Sequence, residues 1–175
     1  AFIKYRLIQQ EQAGTPVSLV GVVGTSIFTY KSPDPLKPLT FSDRTGYYAQ
    51  LIIGRKFSEA FSLQLSPTLV YRNMIEPGDK KTIYALGIGA RHKISKRVAF
   101  VVDYSLVANG LPMSVGTNPL SIGVDIETGG HVFQLHFSNS TGMNERSFIT
   151  ETTNRWSKGE FQFGFNLSRI FSLKK

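Results

Sequence analysis

Lys158 to Phe171 reads KGEFQFGFNLSRIF, with Phe161, Phe163, Phe165 and Leu167 on one parity and Gln162, Gly164, Asn166 and Ser168 on the other. Strict alternation over that length predicts a β-strand with one greasy and one wet face. Towards the N-terminus, a polar stretch over 139–157 separates it from a second alternating segment, 131–138, where Phe133, Leu135 and Phe137 oppose Gln134, His136 and Ser138. The ETGG at 127–130 predicts a tight hairpin, because paired glycines supply the positive φ that a two-residue loop needs. Upstream of it, Leu120, Ile122, Val124 and Ile126 alternate with Ser121, Gly123, Asp125 and Glu127.

The same rhythm runs back to the start of the chain. Strands are predicted at 97–107, 82–94, 60–73, 45–57, 17–30 and 2–9, with short turns at 95–96 and 58–59 and a modest one at 10–15. The EPGDKK at 76–81 reads as a more open loop, and 31–44 and 108–119 as long ones. Pro33, Pro35 and Pro38 rule out a ladder in 31–44, since proline has no N–H to donate. Amphipathic segments joined by connections that alternate between short and long mark an all-β fold, an antiparallel transmembrane up-and-down β-barrel of the outer-membrane kind. Segment length argues against a soluble sandwich or lipocalin-like barrel: membrane strands need about nine to eleven residues, whereas soluble strands average about five or six.

With a periplasmic C-terminus, the loops 31–44, 76–81, 108–119 and 139–157 all fall outside and the short turns inside. About nine strands are visible, and single-chain bacterial barrels have even strand numbers. The expectation is therefore a single β-barrel domain over 1–175 that forms the C-terminal part of a barrel of ten to twelve or more strands, its first strand or strands and signal peptide missing. The rival count is a complete eight-stranded barrel in which one of these segments is a plug or a loop.

Composition narrows the function classes. There is no cysteine, hence no disulfide framework or thiolate metal site. No run approaches the roughly eighteen apolar residues of a transmembrane helix. Thirteen phenylalanines and seven tyrosines suit lipid-facing bands and interfacial girdles. The net charge of +8 is spread over strand ends and loops rather than gathered into a patch, so the expected partners are outer-membrane lipid and lipopolysaccharide phosphates, not nucleic acid. No glycine-rich phosphate loop precedes a helix, and no segment reads convincingly as helical. His131 and His136 point to opposite faces of a strand, so with Glu127 they cannot share an ion. Neither a cofactor nor a metal is implied.

If the apolar parity meets lipid, the lumen receives Lys4, Arg6, Lys56, Arg72, Arg91 and Lys93 from the earlier strands, and Asp103, Asp125, Glu127, Gln134 and His136 from the later ones. In a narrow barrel such charges would pair across the lumen and close it; in a wide one they would set a transverse field across a pore. Val20, Val22, Tyr48 and Ile52 occupy the wet parity despite being apolar, as residues do that pack on a plug, on a partner or on one another.

His136 and Ser138 share one side of a strand, the placement a nucleophile and its base require. The run His136-Phe137-Ser138-Asn139 resembles the H-x-S-N stretch of outer-membrane phospholipase A, which implies a serine nucleophile at Ser138, a base at His136 and Asn154 or Asn166 as the residue orienting the base. In that family the catalytic pair faces lipid, whereas parity here sends His136 to the lumen.

The block IGVDIETGGHVFQLHFSNSTGMNERSF at 122–148 and the ending FGFNLSRIF at 163–171 resemble an uncharacterised β-barrel family common in Bacteroidota outer membranes. The resemblance implies a Gram-negative outer-membrane location and a single-domain barrel, and carries no activity with it. The expected function is a barrel without catalytic activity, either a small channel or a structural or docking component of an envelope complex with a protein partner. The alternatives are a phospholipase-like hydrolase using Ser138 and His136, and a binding protein that recognises its ligand through loops 31–44 and 139–157.

Overall fold

The computed structural model describes residues 1–11, 14–29, 32, 38–75, 78–109, 111 and 116–169. Pro33, Pro35, Glu76, Pro77, Phe171 and the tail that follows it lie outside the described residues, as do the centres of loops 31–44 and 108–119. Nine strands follow one another as antiparallel neighbours in a single sheet: β1 (Phe2–Ile8), β2 (Ser18–Ile27), β3 (Thr45–Lys56), β4 (Phe61–Arg72), β5 (Thr82–Lys93), β6 (Val98–Val107), β7 (Leu120–Thr128), β8 (His131–Ser138) and β9 (Gln162–Arg169). Each pair is a hairpin, the arrangement that period-two segments and short turns dictate.

Register converts the alternation into two surfaces. Phe133 pairs with Leu167, Leu135 with Phe165 and Phe137 with Phe163, so the apolar residues of β8 and β9 stand in rows on one face. That face continues through Phe100, Leu106, Tyr84, Ile88, Leu65, Leu69, Leu51 and Val23, all exposed, while the opposite face is concave. The ends differ as well. At one end the connections are tight, as at Gly129 and Gly130, whose φ values of 51° and 111° fit a type I′ turn. At the other end lie the connections 28–44, 73–81, 108–119 and 139–161, although 9–17 at the tight end is as long as 73–81.

Two ladders are irregular: β1–β2 shifts register between Arg6 and Ile8, and β3–β4 is interrupted at Pro67. Pro67 sits in the middle of β4, and the β3–β4 ladder has no paired residues between Gln50↔Thr68 and Ile53↔Leu65, although the register is the same on both sides. On its other side Pro67 faces Leu86 of β5 in an unbroken ladder.

The sheet is not closed: β1 pairs with β2 alone and β9 with β8 alone. Because the count is odd, these two edge strands run in the same direction.

Two departures from the sequence reading stand out. The strand predicted at 158–171 begins only at Gln162, because Trp156–Lys158 forms a 3₁₀ turn that Gly159 ends in the left-handed region at φ 73°. The chain also has helices where none was expected, α1 (Phe41–Arg44) and α2 (Glu145–Thr150). Both are started by caps: Thr40 Oγ1 accepts from Asp43 N–H and Asn144 Oδ1 from Ser147 N–H. At four and six residues they are too short to leave a 3.6-residue periodicity.

Candidate functional site

The concave face is divided between an apolar seat at the long-loop end and a polar chamber towards the short-turn end. The seat is built from Val22, Tyr48, Val70, Ile83, Ala85 and Val107, every one on the inward parity, and Ile149 of α2 is packed into it at 2% exposure. Val20, Ile52 and Phe148 border this cluster. The loop over 139–157 thus folds into the sheet and caps its concave side, touching β3 and β4. Val20, Val22, Tyr48 and Ile52, out of place by parity, are the wall against which the loop packs.

Polar contacts hold the loop in position. Asn139, 2% exposed, is the staple: its Nδ2 donates to the carbonyls of Asn118 and Asn154 and its Oδ1 accepts from Leu120 N–H at 2.8 Å. Thr117 adds its N–H to Thr152 O and its hydroxyl to Asn154 O, both at 2.8 Å. Trp156 Nε1 donates to Leu120 O, and its ring stacks on Phe161 with centroids 4.8 Å apart. Arg146, 3% exposed, pairs with Glu151 at 2.9 Å and lies over the Phe28 ring at 3.6 Å. Burial pushes the Arg146 guanidinium below the ordinary arginine value; Glu151 opposes that shift and the neighbouring Arg72 charge adds to it. Removing the staple tests the arrangement. Asn139→Ala loses three side-chain hydrogen bonds at a buried position and is expected to destabilise the fold by about 2–3 kcal/mol. Thermal unfolding in detergent and protease sensitivity of 140–155 measure it; an unchanged midpoint and unchanged protection would mean that the loop is held elsewhere.

Below the seat lies a cavity of about 770 Å³ that runs from Gly142 and Phe148 of the loop to Gln10 and Lys56 near the short turns. Its walls carry Gln64, Arg91, Asp103, Asp125, Gln134 and His136. Among the described residues, no ion pair spans the chamber from wall to wall. Arg91 on β5 reaches over β6 to β7, with Nε 3.0 Å from Asp125 and Nη2 2.7 Å from Glu127. Gln134 Nε2 donates to the other Asp125 oxygen, and Ala99, directly opposite Asp125, is small enough to let the arginine pass. Lys56 turns to Glu59 of its own hairpin at 2.8 Å, and that hydrogen bond and charge hold the Glu59 carboxyl below its ordinary value. Arg72 sits at the long-loop end, 3.6 Å from Asp79. Lys4 and Arg6 lie exposed on edge strand β1, where Arg6 donates to Gln9. Asp103 faces the chamber across from Gly89, with no ion pair among the described residues.

A nine-stranded antiparallel sheet with a continuous apolar outer face and a polar, loop-capped inner one sets the frame for comparison. The family described as a membrane bound beta barrel domain (DUF5777) matches residues 1–171. The chain belongs to this family. No curated protein and no solved structure matches it.

Within this membrane barrel domain, the residues singled out for chemistry lie close together without forming a relay. Ser138 and His136 both face the chamber. Ser138 Oγ accepts from Ser121 Oγ at 2.8 Å and from Ser140 N–H at 3.1 Å, which ties it to loop geometry. The His136 ring rests on Gly164 of β9, where a side chain would leave it no room, and no hydrogen bond joins it to Ser138 among the described residues. Asn154 contributes its backbone carbonyl to the loop staple, and Asn166 stands opposite Gln134. No cluster of histidine and carboxylate side chains among the described residues could hold a metal ion. The residues that parity reasoning missed are Asn139, Arg146 and Ile149. Their signal was Phe148-Ile149, an apolar pair inside a polar loop, facing inward apolar residues that otherwise lacked a partner.

Proposed function

We propose that this barrel domain is an integral outer-membrane protein of a Gram-negative envelope without catalytic activity, closed across its outer half and offering a polar chamber to the periplasm, where it acts as a structural or docking component. The observation that carries the reading is Ile149, buried to 2% among Val22, Tyr48, Val70 and Ile83, for a loop seated on an apolar wall is a lasting closure and not a passing one. Long loops at one end and tight turns at the other favour the usual orientation, long loops outside; β9 then descends and the C-terminus is periplasmic. In that orientation lipid and lipopolysaccharide surround the outer face, and an envelope protein has access to the chamber between Lys56 and Gln134. The prior engagement of Ser138 with Ser121 and Ser140 supports a structural serine over a nucleophile.

Conductance tests the closed reading. Reconstituted in planar bilayers, the wild-type barrel is expected to give no steady current above that of the bare membrane. A stable, ohmic pore would overturn closure and return the protein to the small-channel class.

A further inference from the structure

On the outer face, at the short-turn end, an arginine and a histidine are joined by aromatic rings. Arg55 shares the outward parity of Leu51 on β3 and is exposed. Its guanidinium lies over the Phe57 ring, 4.8 Å from the centroid. Phe57 meets Phe61 at 5.9 Å between centroids and Phe61 meets His92 at 6.3 Å, so one array runs from the end of β3 across β4 to β5. Phe61 stands directly opposite His92, and His92 directly opposite Phe100. Lys96 and Arg97 follow in the exposed β5–β6 turn. Among the described residues, no carboxylate pairs with Arg55, His92, Lys96 or Arg97, and Glu59 in the neighbouring turn is already held by Lys56 at 2.8 Å.

We infer that Arg55 and His92 form a binding site for the phosphate headgroup of an anionic phospholipid, in the leaflet that meets the short turns. A guanidinium on a lipid-facing wall is costly in proportion to its depth, and a long side chain lowers the cost by reaching for the membrane boundary. Arg55 does this: it pairs with Leu63, one step further from the turn than Phe57, and its guanidinium comes down over that ring. Stacking occupies the flat face of the guanidinium and leaves its edge N–H groups, which can only donate. With no carboxylate beside them, the anion that a bilayer supplies at that depth is a headgroup phosphate, which the planar fork meets with two parallel hydrogen bonds. His92 brings a further ring N–H to the same array, and the charges of Lys96 and Arg97 favour a net negative headgroup over a zwitterionic one. Phe57 and Phe61, 55% and 36% exposed, suit the boundary between acyl chains and headgroups, where aromatic side chains collect. The site deepens the lipid contact of the proposed function: it rests on a lipid-facing outer wall and not on closure of the barrel.

Lipid retention by the full chain tests it. The protein is reconstituted into vesicles of phosphatidylcholine and phosphatidylglycerol with matched acyl chains, released into mild detergent, and the lipids it keeps are counted by native mass spectrometry. The wild type is expected to keep phosphatidylglycerol over phosphatidylcholine by about fivefold, the gain that one basic residue near an anionic surface supplies. Arg55→Gln should remove that preference, Phe57→Leu should weaken it by taking away the ring, and Arg55→Lys should keep part of it; both positions are exposed, so folding is at little risk. Lys158→Gln, which removes an exposed cation near the other end, should leave the preference unchanged. Equal retention of the two lipids by an inserted wild-type barrel would overturn the site, as would a preference that survives Arg55→Gln or falls equally with Lys158→Gln. Displacement of the retained lipid by inorganic phosphate would replace it with a free-anion site and overturn it too. A chain that fails to float with the vesicles would overturn the lipid-facing wall itself, and the site with it.

Discussion

On the closed reading proposed above, replacing Ile149 by aspartate is expected to make the barrel conduct. The isoleucine side chain is almost wholly buried against Val22, Tyr48, Val70 and Ile83, and burial of that kind is worth about 1.5–3 kcal/mol. An aspartate there would lose this contribution and face desolvation of a carboxylate among apolar groups, at a further cost of several kcal/mol. The sheet is tied by eight interstrand ladders, whereas α2 is a six-residue helix with no stability of its own in water. The loop, not the wall, is therefore the part that yields. Stepwise current in planar bilayers and new tryptic cleavage after Arg146 or Arg155 would register its departure. A folded Ile149→Asp barrel that stays silent and protected would show that closure does not depend on this seat.

The second large effect is expected at Arg91. Arg91→Met removes the cation that serves Asp125 and Glu127 together, leaving Asp125, its side chain 7% exposed, with only the Gln134 hydrogen bond. The expected loss is about 2–4 kcal/mol, below the value for a fully buried pair because the Arg91 and Glu127 side chains keep 32% and 41% of their surface in water. Unfolding midpoints of the detergent-solubilised protein measure it. The same Arg91→Met change made together with Asp125→Asn and Glu127→Gln should recover most of the loss, since no unpaired charge then remains. An Arg91→Met variant as stable as the wild type would mean that the three groups are solvated independently.

Much of the wall is legible in the sequence because a sheet with one lipid face and one wet face must alternate. The segment 131–138 has the same bounds in both readings, and the remaining ends agree to within a few residues, the largest shift being where Gly159 ends a 3₁₀ turn. The interior is less legible for two reasons. Parity assigns Arg91 and Asp125 to one side, but which charges meet depends on the registers Lys93↔Ala99 and Ala99↔Asp125, which place the pair diagonally over β6 instead of across the lumen. The loop helix is hidden for a different reason. Glu145–Thr150 is too short for periodicity, and its evidence is indirect, in the apolar Val20, Val22, Tyr48 and Ile52 on a face that should be wet. Ser138 and Asn139, which in sequence suggest a hydrolase fragment, both hydrogen-bond to groups that anchor the loop.

Pro67 leaves a gap in the wall's hydrogen bonding. Where the β3–β4 ladder skips its rungs, a residue without an N–H stands opposite β3 and cannot donate to it. The helix that enters from the far end of the chain touches β3 and β4, with Ile149 against both Tyr48 and Val70 and Arg146 lying on Gly46 beside Arg72. The loop thus bears on the two strands whose ladder is interrupted at Pro67, although it lies about a hundred residues away from them in sequence.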